Sequence, residues 1–277
     1  MNVVFFGGSK YTIPIVKLLN SKFNLSLVIT AEKEINDPII KYCLKNQILY
    51  YSVNSFSSSE IKQKLLTVNP NFAVLANFRF IIPKEILDIF PKGVVNIHPS
   101  YLPKYRGPTP VQTAILNGNK KTGVTLIKLD EKIDHGEIIA QKEEEILKND
   151  TSESLYLRLF KQGSEMLNNT ITKYLEGKYA LKKQNDLEAS FTKILKRDDG
   201  YIDFSKIPSQ TSLNKIIRAY FPWPGTWIKV KINNKDLRIK LLPNNMLQVE
   251  GKKPLSFKDF INGYPEAKDI LEKLSLS

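Results

Sequence analysis

"VVNIHPSYLPKYRG", residues 94–107, opens as an apolar run and closes in a cluster of turn-forming residues. One of only two histidines in the chain, His98, stands inside it, two positions after Asn96. GVVNI (93–97) reads as a buried strand. Prolines 99, 103, 108 and 110 then forbid a simple helix and keep the chain extended or turning, since proline lacks an amide hydrogen and restricts the residue before it. At an extended strand end, residues i and i+2 leave the same face, so Asn96 and His98 project together. An amide donor beside an imidazole can hold a carbonyl oxygen as it gains negative charge. The same pair can equally be structural, and spacing leaves both readings open.

Outward from this stretch, short apolar runs alternate with amphipathic ones. VVFF (3–6), LSLVIT (25–30), ILYYSV (48–53) and FAVLA (72–76) read as strands. IPIVKLLN (13–20), DPIIKYCLKN (37–46), the serine-capped SSSEIKQKLLTVN (57–69) and PKEILDIF (83–90) read as helices between them. Strands this apolar, separated by helices, predict a parallel sheet covered on both faces. Ligands of such sheets bind beyond the carboxyl ends of the strands, where NIHPS lies. Downstream, the pattern predicts a helix from Pro110 to Gly118, strands at 122–129 and 137–146, and a helix over 153–176. The loop DEKIDHG between the two strands carries Asp134, which the sheet can bring near His98 to fix the ring's tautomer, or which is simply part of a turn. The expected fold is α/β: a Rossmann-like, doubly wound, mostly parallel sheet over residues 1–180. Residues 181–200, polar and weakly patterned, read as a linker. Two alternating runs around NNK (233–235) predict a hairpin in a small β-rich domain over 201–277, with little helix.

A chain of 277 residues with 42% hydrophobic side chains can bury a substantial core. No apolar run reaches the length of a membrane span, and MNVVFFGG lacks a signal-peptide pattern, so a soluble, cytoplasmic protein is expected. Cys43 is the single cysteine, which excludes an internal disulfide and a cysteine-built metal site. Lys and Arg number 41 against 28 Asp and Glu, a net charge of +13. That excess suits polyanionic partners, nucleic acid first, or a lysine-rich surface. It is spread along the chain: residues 197–277 hold 14 basic and 9 acidic side chains.

NIHPSYLPKYRG followed by TGVTLIKLDEKIDHGEII resembles the signature of the 10-formyltetrahydrofolate-dependent formyltransferase family, its methionyl-tRNA branch in particular. The matching pieces are an Asn-x-His pair, a proline loop with Arg-Gly, and an Asp just before the glycine of a later loop, with His98 and Asp134 36 residues apart. VVFFGGSKYTIPIVKLL is similar to the family's first strand, glycine turn and helix. DGYIDFSK, IIRAYFPWPGTWIKV and VEGKKPLSFKDFINGY are similar to pieces of that branch's C-terminal, OB-like barrel domain. The resemblance implies that Asn96, His98 and Asp134 are catalytic. Asn96 and protonated His98 would stabilise the oxyanion formed as an amine attacks the formyl group of 10-formyltetrahydrofolate, while Asp134 orients His98 and moves the amine proton. It implies no metal and no covalent enzyme intermediate. It places the folate pterin against Phe80, Ile81 and Ile82 and against the loop that holds Asp130 and Ile133. A monomer acting on initiator methionyl-tRNA is the expected state.

His135 stands where that family has threonine or another small residue, and reads as a bystander. Arg106 either binds phosphate or braces the proline-rich loop. Trp223 and Trp227 either stack on a base or pin the second domain's core. Two departures bear on the amine. The methionyl-tRNA branch carries a basic, glycine-containing insertion after its second strand, whereas VITAEKEINDPIIKYC is short and acidic-leaning. GGSKYTIP also differs from the branch's Gly-Thr-Pro form. A nucleotide-linked amino sugar is therefore the alternative substrate. The net charge and the EGKKPLSFKDFINGY ending favour tRNA, with Lys10 and the hairpin residues Lys229, Lys231, Arg238 and Lys240 as phosphate contacts. Against a third reading, an inactive nucleic-acid-binding module, stands the intact trio.

Overall fold

The structure is a computed structural model that describes residues 1–55, 58–232 and 235–274. It divides into two compact units. The first holds Met1–Pro110, Lys121–Glu145 and Tyr156–Thr192; the second holds Val111–Lys120, Ile146–Leu155 and Lys193–Ser277.

Seven strands form the first unit's sheet: β1 (Asn2–Gly7), β2 (Asn24–Thr30), β3 (Tyr50–Ser52), β4 (Phe72–Ala76), β5 (Val94–His98), β6 (Lys121–Lys128) and β7 (Glu137–Glu145). Their order is β3-β2-β1-β4-β5-β6-β7. The first five are parallel, and β6 and β7 add an antiparallel edge beside β5. Helices α1 (Ile13–Lys22), α2 (Pro38–Lys45), α3 (Ser58–Val68) and α4 (Lys84–Leu87) alternate with the parallel strands; α5 (Pro110–Leu116) and α6 (Ser152–Leu175) follow. Helix α4 is shorter than PKEILDIF suggests, ending at Leu87 with Asp88 as its C-cap.

Every residue of β4 and β5 is buried, and β4 reads as an unbroken apolar run. On one face Val4 and Phe6 of β1 pack with Ile61 and Leu65 of α3 and Ile86 of α4. On the other, Val3 and Phe5 are fully covered. Each large apolar side chain so buried contributes about 1.5–3 kcal/mol. Helix α6 lies close on β5 and β6 because Gly163 has no side chain: a Cβ there would stand 2.5 Å from Ile97 and 3.1 Å from Val124.

The second unit is built on a separate four-stranded antiparallel sheet of β8 (Thr226–Ile232), β9 (Lys235–Leu242), β10 (Met246–Val249) and β11 (Leu255–Ser256), in the order β11-β10-β9-β8. The β8–β9 pair is the hairpin read around NNK; Asn233 and Asn234 lie outside the described residues, as does Ser57 of the predicted cap. Ile228, Val230, Ile239 and Leu241 face a core closed by α7 (Gln210–Tyr220), α8 (Phe257–Gly263) and α9 (Lys268–Glu272), through Leu213, Ile217, Phe260 and Leu271. That is more helix than the sequence suggested. Leu213, Ile217 and Tyr220 recur at helical spacing, and Ser209 caps α7 by accepting the Ser212 amide hydrogen, but short polar residues mask the pattern. Among the described residues, no helix is long and apolar enough to cross a membrane.

Candidate active site

Strand β5 delivers Asn96 and His98 to its carboxyl end, at 5% and 4% exposure. Asn96 lies between Leu75 of β4 and Ile127 of β6; His98 lies opposite Thr125. The backbone leaving His98 is wired to the antiparallel edge. Thr125 Oγ1 donates to the Ser100 carbonyl at 2.7 Å and accepts the Leu102 amide at 3.1 Å. Gln141 Nε2 donates to the Leu102 carbonyl at 2.6 Å. This wiring folds the proline loop back until the Tyr105 carbonyl oxygen stands 2.9 Å from His98 Nε2. A carbonyl can only accept, so Nε2 carries a hydrogen and Nδ1 is the nitrogen left to face the site.

Asp134 meets that nitrogen. Its Oδ1 lies 3.5 Å from His98 Nδ1 and accepts from Asn96 Nδ2 at 3.0 Å; its Oδ2 accepts the Gly107 amide at 2.8 Å. One carboxylate thus gathers the ends of β5, the proline loop and the β6–β7 loop. The 3.5 Å separation is longer than a hydrogen bond, which leaves room between the two groups for a small shift on substrate binding.

The backbone at Asp134 has φ of 47°, a region that non-glycine residues adopt at a cost of about 1–3 kcal/mol unless their surroundings impose it. Gln184 imposes it. Its Nε2 donates to the carbonyls of both Asp134 and Gly136 at 2.8 Å, and its Oε1 accepts from Arg106 Nε at 3.1 Å and Nη2 at 2.9 Å. Gly136 completes the turn, because a Cβ there would sit 1.9 Å from the Lys128 carbonyl oxygen. Arg106 is 3% exposed and also donates to Asp186 at 2.7 Å, so it braces the loop and is not open to phosphate. Its hydrogen bond holds the Asp186 carboxyl below the usual carboxylate range, with its charge and that of His135 adding to the effect.

Residues 181–192, read from the sequence as linker, are fastened to the first unit. Lys182 exchanges backbone hydrogen bonds with Ile138 at 2.8 and 2.9 Å, the Arg106 amide donates to the Ser190 carbonyl, and the Thr192 amide donates to the Arg106 carbonyl. Main-chain bonds of this kind leave no trace in side-chain pattern. Gln184, the residue that shapes the Asp134 loop, was missed for that reason.

Residues 18–171 match the model of the family described as formyl transferase. The chain belongs to that formyltransferase family. A curated relative, the methionyl-tRNA formyltransferase of Thermodesulfovibrio yellowstonii, is 31% identical over 94% of this chain and 95% of its own. Among solved structures, the methionyl-tRNA formyltransferase from Clostridium thermocellum shares the fold over 92% of this chain and 99% of its own, with a TM-score of 0.61 and 21% identity. So does an N-formyltransferase from Helicobacter canadensis in complex with folinic acid and dTDP-3-aminofucose, over 89% of this chain and 94% of its own, with a TM-score of 0.66 and 20% identity.

On this formyltransferase the residues expected at folate fall on two segments that meet. Lys84 Nζ lies 3.8 Å from the Glu131 carboxylate, and Phe80 and Leu129 pack on the same core cluster. Ile82 is spent in that core, Phe80 is half-buried with Arg79 over its ring at 4.9 Å, and Ile81 and Ile133 are 65% and 51% exposed. The Asp130 carboxylate is engaged by His135 Nδ1 at 2.5 Å. His135 Nε2 lies 3.4 Å from Asp186, so this ring joins the β6–β7 loop to the segment that carries Gln184.

Near the same strand ends, Glu32 follows β2. A Cβ on Gly8 would come within 2.7 Å of its Oε1, and burial, with the negative charge of Asp37, pushes its carboxyl above the usual range.

Proposed function

We propose that the chain transfers the formyl group of 10-formyltetrahydrofolate to the α-amino group of methionyl initiator tRNA, with Asn96, His98 and Asp134 as catalytic residues. The observation that carries the chemistry is the convergence of Asn96 Nδ2 and His98 Nδ1 on Asp134 Oδ1 at the end of β5. As the amine attacks, a C–N bond forms and the formyl oxygen gains negative charge. Asn96 keeps its second amide hydrogen for that oxygen, and His98, protonated at Nδ1, offers another; preorganised donors of this kind commonly supply the largest share of catalysis. Asp134 accepts a proton from the attacking amine and returns it to N10 of the folate as the C–N10 bond breaks. The exposed Ile81 and Ile133, on segments tied together by Lys84 and Glu131, offer apolar surface to a flat ring system. They would hold the folate with backbone hydrogen bonds beside them.

For the amine, sequence identity to a methionyl-tRNA formyltransferase over both units favours tRNA, and the net charge of +13 agrees. In this assignment the first unit carries the chemistry and the second the tRNA grip, with a monomer as the working form in the cytoplasm. The test is a formylation assay with charged initiator tRNA and, separately, a nucleotide-linked amino sugar. Formylation of methionyl-tRNA is the expected result. Turnover of the amino sugar alone would move the assignment to the substrate class seen with the Helicobacter canadensis protein.

A further inference from the structure

The second unit's two tryptophans have different surroundings. Trp227 is 5% exposed; its Nε1 donates to the Arg197 carbonyl at 3.2 Å, its ring tilts against Tyr201 at 4.7 Å, and the Arg238 guanidinium covers one face at 3.8 Å. Trp223, four residues earlier, is 53% exposed. A core residue would not leave half of so large an apolar ring in water. Trp223 lines a cleft of about 250 Å³ whose other walls include Trp227, Arg197, Arg238 and Lys240. Arg197 and Arg238 share one carboxylate, Glu250, at 3.1 and 3.5 Å, which leaves a surplus of positive charge around the cleft.

From these features we infer that the cleft binds one unstacked nucleotide of the RNA substrate, its base against Trp223 and its phosphate toward Arg197 and Lys240. A flat apolar ring beside surplus cations, in a space of single-base size, suits a ligand that is at once aromatic and anionic. Stacking of a base on an aromatic side chain is sequence-tolerant, and the cations track the backbone. The cationic surface also continues past the cleft. Lys229 and Lys231 are exposed at alternate positions of β8, with Arg238 paired opposite Lys229. That continuation meets the phosphates of a chain; a free nucleotide would not use it.

The inference rests on the tRNA reading above, and its test is arranged to fail separately. Full-length Trp223→Ala should raise KM for methionyl-tRNA about tenfold, the loss expected for one stacked base, while kcat and KM for the folate stay unchanged. Trp223→Phe should recover most of it. Anisotropy of a labelled single-stranded oligoadenylate should show the same tenfold weakening in Trp223→Ala, recovery in Trp223→Phe, and a loss in Lys240→Glu. Oligonucleotide affinity unchanged in Trp223→Ala overturns the proposal, whether or not methionyl-tRNA is formylated. Competition by adenosine monophosphate as strong as by the oligonucleotide also overturns it, in favour of a free-nucleotide site. If methionyl-tRNA is no substrate but the oligonucleotide series behaves as stated, the substrate reading falls and the nucleotide cleft stands.

Discussion

His98 and His135 each face an aspartate, at 3.5 Å from Asp134 and 2.5 Å from Asp130. His98 is almost wholly enclosed, with Nε2 committed to a backbone carbonyl and Nδ1 turned to a carboxylate that already accepts from Asn96 and Gly107. His135, at a more open place, has Nδ1 committed to Asp130, and its Nε2 lies 3.4 Å from Asp186. In the proposed mechanism the first ring keeps a nitrogen for chemistry, while the second joins two segments. Adjacency is no guide here: His135 is the direct neighbour of Asp134, yet its Nδ1 faces Asp130. The lesson is that a histidine's role follows from which of its nitrogens remains uncommitted.

The largest expected effect tests this difference. His98→Ala should lower kcat by about 100-fold or more, the loss seen when one donor to a developing oxyanion is removed. His135→Thr should change kcat by less than about threefold, since an exposed ion pair contributes on the order of 1 kcal/mol or less. Steady-state rates on folded, circular-dichroism-matched proteins decide it. Equal losses in the two variants would erase the distinction.

A smaller effect should come from Gln184, whose side chain bonds Arg106 and the carbonyls of Asp134 and Gly136. It acts through Asp134, and displacing a catalytic group by about an ångström costs on the order of 10- to 100-fold in rate. Gln184→Ala should therefore lower kcat by about tenfold with little change in either KM, and should lower Tm because Arg106 loses one of its two acceptors and keeps only Asp186. Gln184→Glu separates the two roles. A carboxylate still accepts from Arg106 but cannot donate to the carbonyls of Asp134 and Gly136. Stability should largely return and kcat should not. Recovery of both would reduce Gln184 to a structural partner of Arg106.

These residues also mark what was legible in the chain itself. The order of strands and helices, and the placing of Asn96 and His98 at a strand end, followed from apolar runs and an i, i+2 spacing, both local properties. Asp134 entered through its place in a recognisable loop. Gln184 was invisible because its partners are backbone carbonyls 48 and 50 residues away, and no side-chain periodicity records such bonds. Helix α7 was overlooked because only its buried stripe is apolar. The tryptophans shared one motif, PWPGTW, and only packing could tell the pinned ring from the open one.

The smallest effect sharpens the contrast from the carboxylate side. Asp134 accepts from Asn96 and Gly107, whereas Glu32 is partly buried beside Asp37, and burial followed by that like charge raises its carboxyl above its ordinary value of 4.5. A carboxyl raised in the folded state binds its proton more tightly there than in the unfolded chain. Its contribution to stability is therefore greatest below pH 4.5 and declines as the pH rises through the higher folded value. Glu32→Gln keeps the shape, and its amide oxygen can still accept the Ser9 amide hydrogen, but it carries no charge to desolvate. The variant should melt about 1–2 °C above the parent at pH 7, a shift of a few tenths of a kcal/mol, and the difference should vanish near pH 4. Thermal melts across that pH range provide the measurement. A variant that melts below the parent at pH 7 would mean that the donors around the Glu32 carboxylate outweigh its burial beside Asp37.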